Sequence, residues 1–206
     1  MELKEIIKEK NQTGSISLES WFFRQGNLTL YELFCICSII KTYNPKKILE
    51  IGTFDGLTTL HMAINSDPGC EIHTIDLPRE KLKDIELNIA GGDKELIEKE
   101  GFEIGYHFIN HPAGKKIIQH YSDSAKFDVS GYLKNFGFIF IDGAHSYDYI
   151  KTDTENSLRM IQDGGVILWH DYGSVIDVTE YLNDLSKKLN IIKILDTSLA
   201  FYYLVN

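Results

Sequence analysis

Apolar residues along this chain follow first a helical spacing and then an alternation of short runs with amphipathic segments. The helical spacing of LTLYELFCICSIIKTY predicts a helix that ends near Asn44 and Pro45. From Lys47 onward, the runs typical of buried strands are KILEIG, EIHTIDL, KIIQHY, FGFIFID and GGVILWHD. The segments that predict helices are LTTLHMAINS, residues 80–100, SYDYIKTDTENSLRMI and VTEYLNDLSKKL. Such alternation is typical of a parallel sheet that helices cover on both faces.

The last two apolar runs, IIKILDT and LAFYYLVN, have almost no residues between them. Parallel strands need a long crossover, so this pair predicts an antiparallel hairpin. We therefore predict an α/β fold with a seven-stranded, mostly parallel sheet, helices on both faces and a C-terminal antiparallel hairpin. Residues 1–28 are expected to form an N-terminal cap segment, and residues 29–206 a single domain.

The residues at the carboxyl ends of the predicted strands are the candidates for ligand binding. In ILEIGTFDGLTT, Glu50 closes the first strand, and Gly52 and Gly56 bracket a turn that lets the backbone approach a ligand. The spacing is G-x-x-x-G, which differs from the G-x-G-x-x-G of dinucleotide-binding folds. Asp76 ends the second strand, where an acid can hold ribose hydroxyls.

Asp123 and Ser124 follow the third strand, within reach of an adenine edge or a ribose. Each of these strand-end features alone is explained by ordinary turns and helix caps, but in this order they predict a nucleoside-containing cofactor. The candidate cofactor-binding residues are Glu50, Gly52, Thr53, Phe54, Gly56, Asp76, Leu77, Asp123 and Ser124.

Charged residues end the fourth and fifth strands as well. Asp142 follows FGFIFI, and His170 and Asp171 follow GGVILW. Neighbouring strands lie about 4.8 Å apart, so these side chains can converge on one divalent cation. Oxygen ligands suit Mg²⁺ or Mn²⁺, and the histidine shifts the preference towards Mn²⁺, Fe²⁺ or Zn²⁺. The alternative interpretation is that both aspartates cap helices or turns and that His170 is a half-buried structural residue.

His145 lies three residues beyond Asp142, in the turn before a predicted helix. Its ordinary pKa lies near neutrality, so it is a candidate general base for a substrate hydroxyl. The alternative is that His145 packs against Tyr147 or Tyr149 or bonds to a backbone carbonyl. The candidate catalytic residues are therefore Asp142 and His145.

Composition and charge limit the binding partners and the cellular compartment that we expect. The chain has 206 residues, with 21 Lys and Arg against 30 Asp and Glu and a formal net charge of -9. An acidic surface repels phosphates, so nucleic acid and anionic membranes are not expected partners. Cys35, Cys37 and Cys70 lack a paired spacing and favour buried thiols in a reducing compartment. No signal peptide or membrane-spanning stretch is visible, so a cytoplasmic location is expected.

The motifs at the strand ends resemble those of a known family. LEIGTFDGLTT, IDL, YSDS, FIFIDGAHSYDYIKTD and DGGVILWHDYG are similar, in this order, to the motifs of class I S-adenosylmethionine-dependent methyltransferases. The resemblance covers about residues 29 to 206 and implies a Rossmann-like fold whose reversed last strand is the predicted hairpin. Within this family, the resemblance is to bacterial O-methyltransferases of the sugar and macrolide type, and more distantly to the catechol type. The segments that indicate this branch are DGAHSYDYIKTD and GGVILWHDY.

The resemblance implies methyl transfer from S-adenosylmethionine to a hydroxyl of a small acceptor, such as a sugar, a natural product or a catechol-like compound. Glu50 and the glycines of the first turn would border the methionine part of the cofactor. Asp76 would hold the ribose, and Asp123 and Ser124 would flank the adenine.

Metal-dependent relatives carry one acid at the end of the fourth strand and an acidic pair at the end of the fifth. Asp142 and Asp171 match this pattern, and His170 takes the place of one member of the pair. Catechol-type relatives have a lysine base where this chain has His145, and macrolide-type relatives have an aspartate base where it has Ala144.

Other functions remain open from the sequence. An NAD-dependent oxidoreductase on a related sheet is one, although the glycine spacing and the hairpin speak against it. A non-catalytic cofactor-binding protein and a metal-free methyltransferase that uses His145 alone are the others. Acceptor specificity is expected from residues 1–28 and FEIGYHFINHPAG, with an aromatic N-terminal segment that allows a homodimer. The aromatic candidates for a substrate wall are Trp21, Phe22, Phe23 and Trp169.

Overall fold

The computed structural model of the protein describes residues 1–8, 14–19, 26–98 and 103–205. Its helices are Leu3–Ile7 (α1), Leu30–Tyr43 (α2), Leu57–Asn65 (α3), Gly91–Glu98 (α4), Tyr106–Ile109 (α5), Tyr147–Met160 (α6) and Ile176–Leu185 (α7). Its strands are Lys47–Ile51 (β1), Glu71–Asp76 (β2), Ile117–Tyr121 (β3), Phe136–Ile141 (β4), Ile161–Trp169 (β5), Ile192–Lys193 (β6) and Ala200–Tyr203 (β7). The predicted wall residues Trp21, Phe22 and Phe23 lie outside the described residues.

All the strands belong to one sheet in the order β3-β2-β1-β4-β5-β7-β6. The first five strands pair in parallel, and β7 runs antiparallel both to β5 and to β6. The predicted α/β fold with a C-terminal antiparallel hairpin is therefore confirmed. The order reverses at β1 and β4, which is where ligands of such sheets bind.

Each face of the sheet carries a separate apolar core, because successive side chains of a strand point to opposite faces. Ile48 of β1 packs in the cluster that contains Ile36 and Ile40 of α2. Leu49 packs in the cluster on the other face, with Ile150 of α6 and Leu182 of α7. Helices thus cover both faces, and the polar strand ends are left at the edge of the sheet.

The segment between β2 and β3 contains the helical structure predicted over residues 80–100 only in part. Arg79–Asp84 forms a 3-10 helix, and α4 begins only at Gly91. No residue of either helix is buried, so the apolar spacing that suggested one continuous helix has no core to face. No helix in the described part of the chain has the length and apolar character needed to cross a bilayer.

Candidate active site

A cavity of about 800 Å³ opens at the carboxyl ends of the parallel strands. The turn after β1, the ends of β2 and β3 and the 3-10 helix line one side of it. The ends of β4 and β5 line the other side, and α4 contributes a third wall. The topological switch point of the sheet therefore holds a space large enough for a nucleoside and a small acceptor.

The turn after β1 is shaped by a close approach to the end of β4. Gly52 has φ of 96°, and a Cβ there would lie 2.0 Å from the carbonyl oxygen of Asp142. Only glycine fits both the left-handed backbone and this distance. Phe54 also has a positive φ, 50°, which is uncommon for a bulky residue and concentrates strain at the cavity wall.

Asp76 organises the same turn from the end of β2. Its Oδ2 accepts the backbone N–H groups of Thr53 at 2.9 Å and Phe54 at 2.6 Å, and its Oδ1 accepts that of Leu77 at 2.7 Å. Burial raises the pKa of Asp76 to about 6, although these three hydrogen bonds lower it. The carboxylate predicted to bind ribose thus also fixes the backbone around it.

Most of the predicted cofactor-binding residues line the cavity: Gly52, Thr53, Phe54, Asp76, Leu77, Asp123 and Ser124. Glu50 and Gly56 are not among the lining residues, and their contact with the cofactor stays a prediction. Glu50 is fully buried behind the turn, where its Oε2 accepts the hydroxyls of Thr59 and Thr74. Gly56 faces the ring of Phe108, which a Cβ would approach to 2.6 Å. These two residues support the wall without forming it.

Asp123 lies at the end of β3 in a largely buried position. Its Oδ1 accepts the backbone N–H of Ala125 at 3.0 Å and the hydroxyl of Tyr149 at 3.1 Å. Tyr149 belongs to α6 and also lines the cavity, so this hydrogen bond ties the predicted adenine end to the helix that follows β4.

The acids predicted at the ends of β4 and β5 do converge. The Nδ1 atom of His170 lies 3.1 Å from Oδ1 of Asp142 and 3.1 Å from Oδ2 of Asp171. Ligand atoms of the three residues all lie within 4.8 Å of one another. Asp171 has φ of 60°, so its carboxylate is held there at a cost in backbone strain.

The electrostatics of this acid centre (Asp142, His170 and Asp171) favour a positive charge between the carboxylates. Burial lowers the pKa of His170, but the facing carboxylates of Asp142 and Asp171 raise it well above its usual range. Burial likewise raises the pKa of Asp171, but hydrogen bonds from His145 and His170 hold it well below its usual range. Two carboxylates and an imidazole around one point also form a suitable donor set for a divalent cation.

His145 lies between two carboxylates, which the sequence did not indicate. Its Nε2 is 2.7 Å from Oδ2 of Asp171, and its Nδ1 is 2.5 Å from Oδ1 of Asp93 in α4. Burial lowers the pKa of His145, but the two carboxylates raise it to about 10. The two carboxylates thus favour the protonated form of the ring, in which both nitrogens donate hydrogen bonds, and the role of His145 as general base stays a prediction.

Two acids at the site were missed by the sequence interpretation. Asp93 occurs in GGDKELIE, a charged helix with no feature that distinguishes it. The sequence around Glu32 indicates only a helix capping box with Thr29, and the structure contains this capping box. Its Oε1 also lies 3.6 Å from Nε2 of His170, on the side away from Asp142. Tertiary packing alone brings both acids to the site.

Residues 49–172 match the model of a family described as a methyltransferase domain. The chain belongs to this family. The matched residues run from β1 through the end of β5 and include the turn after β1, Asp76, Asp123 and the acid centre. The family assignment favours a methyltransferase over the NAD-dependent oxidoreductase that the sequence left open.

Relatives and solved structures agree with this assignment. A caffeoyl-CoA O-methyltransferase of Stellaria longipes is 26% identical over 144 residues, which is 69% of this chain and 53% of the relative. The O-methyltransferase TomG from Streptomyces achromogenes, in complex with S-adenosylmethionine, has a TM-score of 0.60 at 14% identity, covering 87% of this chain and 82% of its own.

The methyltransferase PaMTH1 of Podospora anserina, bound to S-adenosylhomocysteine, has a TM-score of 0.64 at 12% identity. The structural alignment covers 99% of our protein and 87% of PaMTH1. The match to the curated Stellaria relative spans only about half of that relative's length. Similarity at these identities shows the fold that the chain shares with these enzymes.

Proposed function

We propose that the protein transfers the methyl group of S-adenosylmethionine to a hydroxyl of a small acceptor, with a divalent cation at Asp142, His170 and Asp171. One observation carries the proposal. A single cavity is lined on one side by the glycine turn and Asp76 and on the other by the acid centre. A donor bound along the first wall would meet an acceptor hydroxyl bound at the second.

The chain's own residues mainly position the two reactants. The carbon–sulfur bond breaks as the carbon–oxygen bond forms in line, and the hydroxyl proton leaves to a base. We assign Asp142 to receive that proton, because it lines the cavity and because the two carboxylates beside His145 favour the protonated form of that ring. A divalent cation at the acid centre supplies Lewis-acid chemistry that lowers the pKa of a bound hydroxyl.

His145 then acts through Asp171. Its Nε2–H donates to Oδ2 of Asp171, which together with the nearby Nδ1 of His170 fixes the orientation of this carboxylate at the end of β5. The hydroxyl of Ser174 donates to the other oxygen of Asp171 at 2.9 Å. Both oxygens of Asp171 are thereby oriented before any ligand enters, which reduces the reorganisation that catalysis needs.

The charge of the cavity supports a neutral or cationic acceptor. Arg79 is the one lysine or arginine among the described lining residues. The carboxylates there are Asp55, Asp76, Glu80, Asp93, Glu103, Asp123, Asp142 and Asp171. These carboxylates outnumber Arg79, His145 and His170 together, so the wall attracts the cationic sulfonium donor and disfavours the phosphates of a coenzyme A thioester. We therefore propose an acceptor without phosphate groups, unlike the one in the name of the Stellaria relative.

The first experiment combines calorimetry with a turnover assay. We expect S-adenosylmethionine to bind at micromolar affinity and NAD to give no heat. A panel of catechol, sugar and macrolide hydroxyls, with a coenzyme A ester beside them, is then assayed with and without Mg²⁺ or Mn²⁺. Failure of S-adenosylmethionine to bind under any condition would overturn the proposal, and binding without any turnover would favour the non-catalytic alternative.

Asp142→Asn tests the acid centre. We expect at least about a hundredfold loss of turnover, because the variant removes a carboxylate that faces the reacting hydroxyl, while S-adenosylhomocysteine affinity changes less than about threefold. Asp148→Asn is the matched control, since Asp148 is exposed in the first turn of α6. Full activity of Asp142→Asn would exclude Asp142 as the proton acceptor and as a required metal ligand.

A further inference from the structure

Helix α4 covers the cavity without being packed into the core. Gly92, Asp93, Leu96 and Ile97 all line the cavity. None of the residues of α4 is buried, so little apolar area holds the helix against the sheet. The position of α4 must therefore depend on specific polar contacts.

Those contacts meet the turn between β4 and α6. The Oδ2 atom of Asp93 accepts the backbone N–H of His145 at 2.8 Å, and its Oδ1 pairs with the ring Nδ1 at 2.5 Å. The next residue, Ser146, donates its hydroxyl to the carbonyl of Asn88 at 2.7 Å. Ser146 precedes α6, but its side chain makes no cap bond to that helix. Two consecutive residues thus bind the segment that leads into α4.

The carboxylate of Asp93 is well placed for a strong contact. Its side chain is 13% exposed, and both of its oxygens are used by the same residue. A carboxylate that accepts both the backbone N–H and a ring N–H of one residue makes a stronger contact than a single hydrogen bond between neutral groups. It also fixes the ring, because rotation of His145 would break the Nδ1 bond to Asp93 and the Nε2 bond to Asp171 together.

We propose that Asp93 is a positioning residue that holds α4 closed over the cofactor cavity and, through the same contact, orients His145 toward Asp171. This inference rests on the proposed function, because it assumes that the ligand in the cavity is S-adenosylmethionine. Release of the product S-adenosylhomocysteine then requires the Asp93–His145 contact to open. Closure of the cavity and orientation of the acid centre are one event.

The kinetic test uses S-adenosylhomocysteine and four proteins: the unchanged chain, Asp93→Asn, Asp93→Ala and the control Glu95→Gln. Glu95 is exposed on the same helix, so its substitution removes the same charge without touching His145. We expect Asp93→Asn and Asp93→Ala to release S-adenosylhomocysteine about tenfold faster in stopped flow, since each lacks the two-point carboxylate contact of the closed form. Release within twofold of Glu95→Gln would overturn the proposal.

A spectroscopic test separates positioning from a general structural role. In protein with ¹⁵N-labelled histidine, the short Nδ1–H contact of His145 should give a proton signal far downfield, assigned by its loss in His145→Gln. We expect Asp93→Asn to lose this signal and Glu95→Gln to keep it, with circular dichroism showing that both variants are folded. Retention of the signal in Asp93→Asn would contradict the proposed contact.

Hydrogen exchange of the ligand-free protein keeps the test independent of the proposed function. The backbone amides of residues 91–98 should exchange about tenfold faster in Asp93→Asn than in Glu95→Gln, because the closed position of α4 has lost its main contact. If S-adenosylhomocysteine fails to bind even the unchanged chain, the proposed function fails, and the exchange result still decides whether Asp93 holds α4.

Discussion

Asp153 of α6 is a buried carboxyl group for which the proposed reaction has no use. It is 1% exposed, and neither of its oxygens has a hydrogen-bond partner of normal geometry. Burial raises the pKa of Asp153 to about 7, Ser124 opposes the shift, and the nearby Asp123 carboxylate adds to it. The group lies directly behind the predicted adenine end of the cavity, so its charge affects both stability and the wall.

The raised pKa makes Asp153 a source of pH-dependent stability. The folded state binds this proton more tightly than the unfolded state, so the contribution of Asp153 to stability is fully present below about pH 4 and is lost as pH rises through about 7. We expect Asp153→Asn to remove this fall and to be more stable than the unchanged chain at pH 8 by about 2–4 kcal/mol. Urea unfolding at pH 5 and pH 8 measures the difference.

Asp148→Asn serves as the control for Asp153→Asn, because Asp148 is exposed on the same helix. It should keep the pH dependence of the unchanged chain. An Asp153→Asn variant that is less stable than the unchanged chain at pH 8 would show that the carboxylate has a favourable partner in the folded protein.

Single residues also mark the limit of what the sequence predicts. Asp142, His170 and Asp171 could be placed together because each follows an apolar strand, and the ends of neighbouring parallel strands meet at one edge. Asp93 could not, because α4 has no buried face and its position depends on a contact 52 residues away. The pairing of His145 with two carboxylates, which decides its protonation, was hidden for the same reason.

At the scale of elements, the turn after β1 and the end of β4 form one unit. The backbone N–H of Asp142 donates to the carbonyl of Ile51 at 2.8 Å, and Gly52 lies against the Asp142 carbonyl. The wall assigned to the cofactor and the wall assigned to the acceptor therefore share a backbone contact. A change in the backbone of the turn should therefore also displace Asp142 at the acid centre.

Gly52→Ala tests this shared backbone contact. We expect a loss of at least about 3 kcal/mol of unfolding free energy or a displaced turn, because alanine adds strain at positive φ and a Cβ inside the contact distance of the Asp142 carbonyl. S-adenosylhomocysteine affinity should fall with it. Denaturant unfolding and calorimetry measure both effects.

Gly131→Ala is the control for Gly52→Ala, because a Cβ at Gly131 would meet nothing within 4 Å. It should change stability by less than about 1 kcal/mol. Normal stability and affinity of Gly52→Ala would show that the turn adjusts freely and that the two walls are independent.

The observed helices and strands show which parts of the fold the hydrophobic pattern could predict. The central strands and α2, α3, α6 and α7 were predicted from apolar runs because each of them contributes buried residues to the cores of the sheet. The edge strands β3 and β6 contain no buried residue and were predicted from apolar runs alone. The helical structure predicted over residues 80–100 is found only as the 3-10 helix Arg79–Asp84 and as α4 in the described residues, because neither helix has a buried face that would extend it. The wall of the cavity is thus the part of the fold least determined by pattern.

Across the whole molecule, alternating carboxylates and imidazoles link distant elements. Asp93 of α4, His145, Asp171, His170 and Glu32 of α2 follow one another in contact. Negative and positive side chains alternate along this series of contacts, so each charge is partly neutralised by its neighbours. Glu32 is its inner end and is only 5% exposed.

Glu32→Gln tests how much the inner end contributes. Burial raises the pKa of Glu32, but His170 and the N–H and hydroxyl of Ser198 hold it well below its usual range. A lowered folded-state pKa gives stability that is present above about pH 4 and lost as pH falls further. We expect Glu32→Gln to lose about 2–4 kcal/mol at pH 7, with the difference from the unchanged chain shrinking below pH 4.

Urea unfolding at pH 7 and pH 3 measures this difference, with Glu180→Gln as the control, since Glu180 is exposed on α7. The control should match the unchanged chain at both pH values. Equal stability of Glu32→Gln and Glu180→Gln at pH 7 would show that Glu32 gains nothing from its charged partner.

The contact between Glu32 and Ser198 joins residues 166 positions apart. In a chain synthesised from its amino end, Glu32 emerges early and must await Ser198 for roughly 10–30 s at ordinary rates of translation. Until then the carboxylate behind His170 lacks the N–H and hydroxyl that hold it. The contact that holds Glu32 behind His170 therefore forms only after the residues of β5 and α7 have been synthesised.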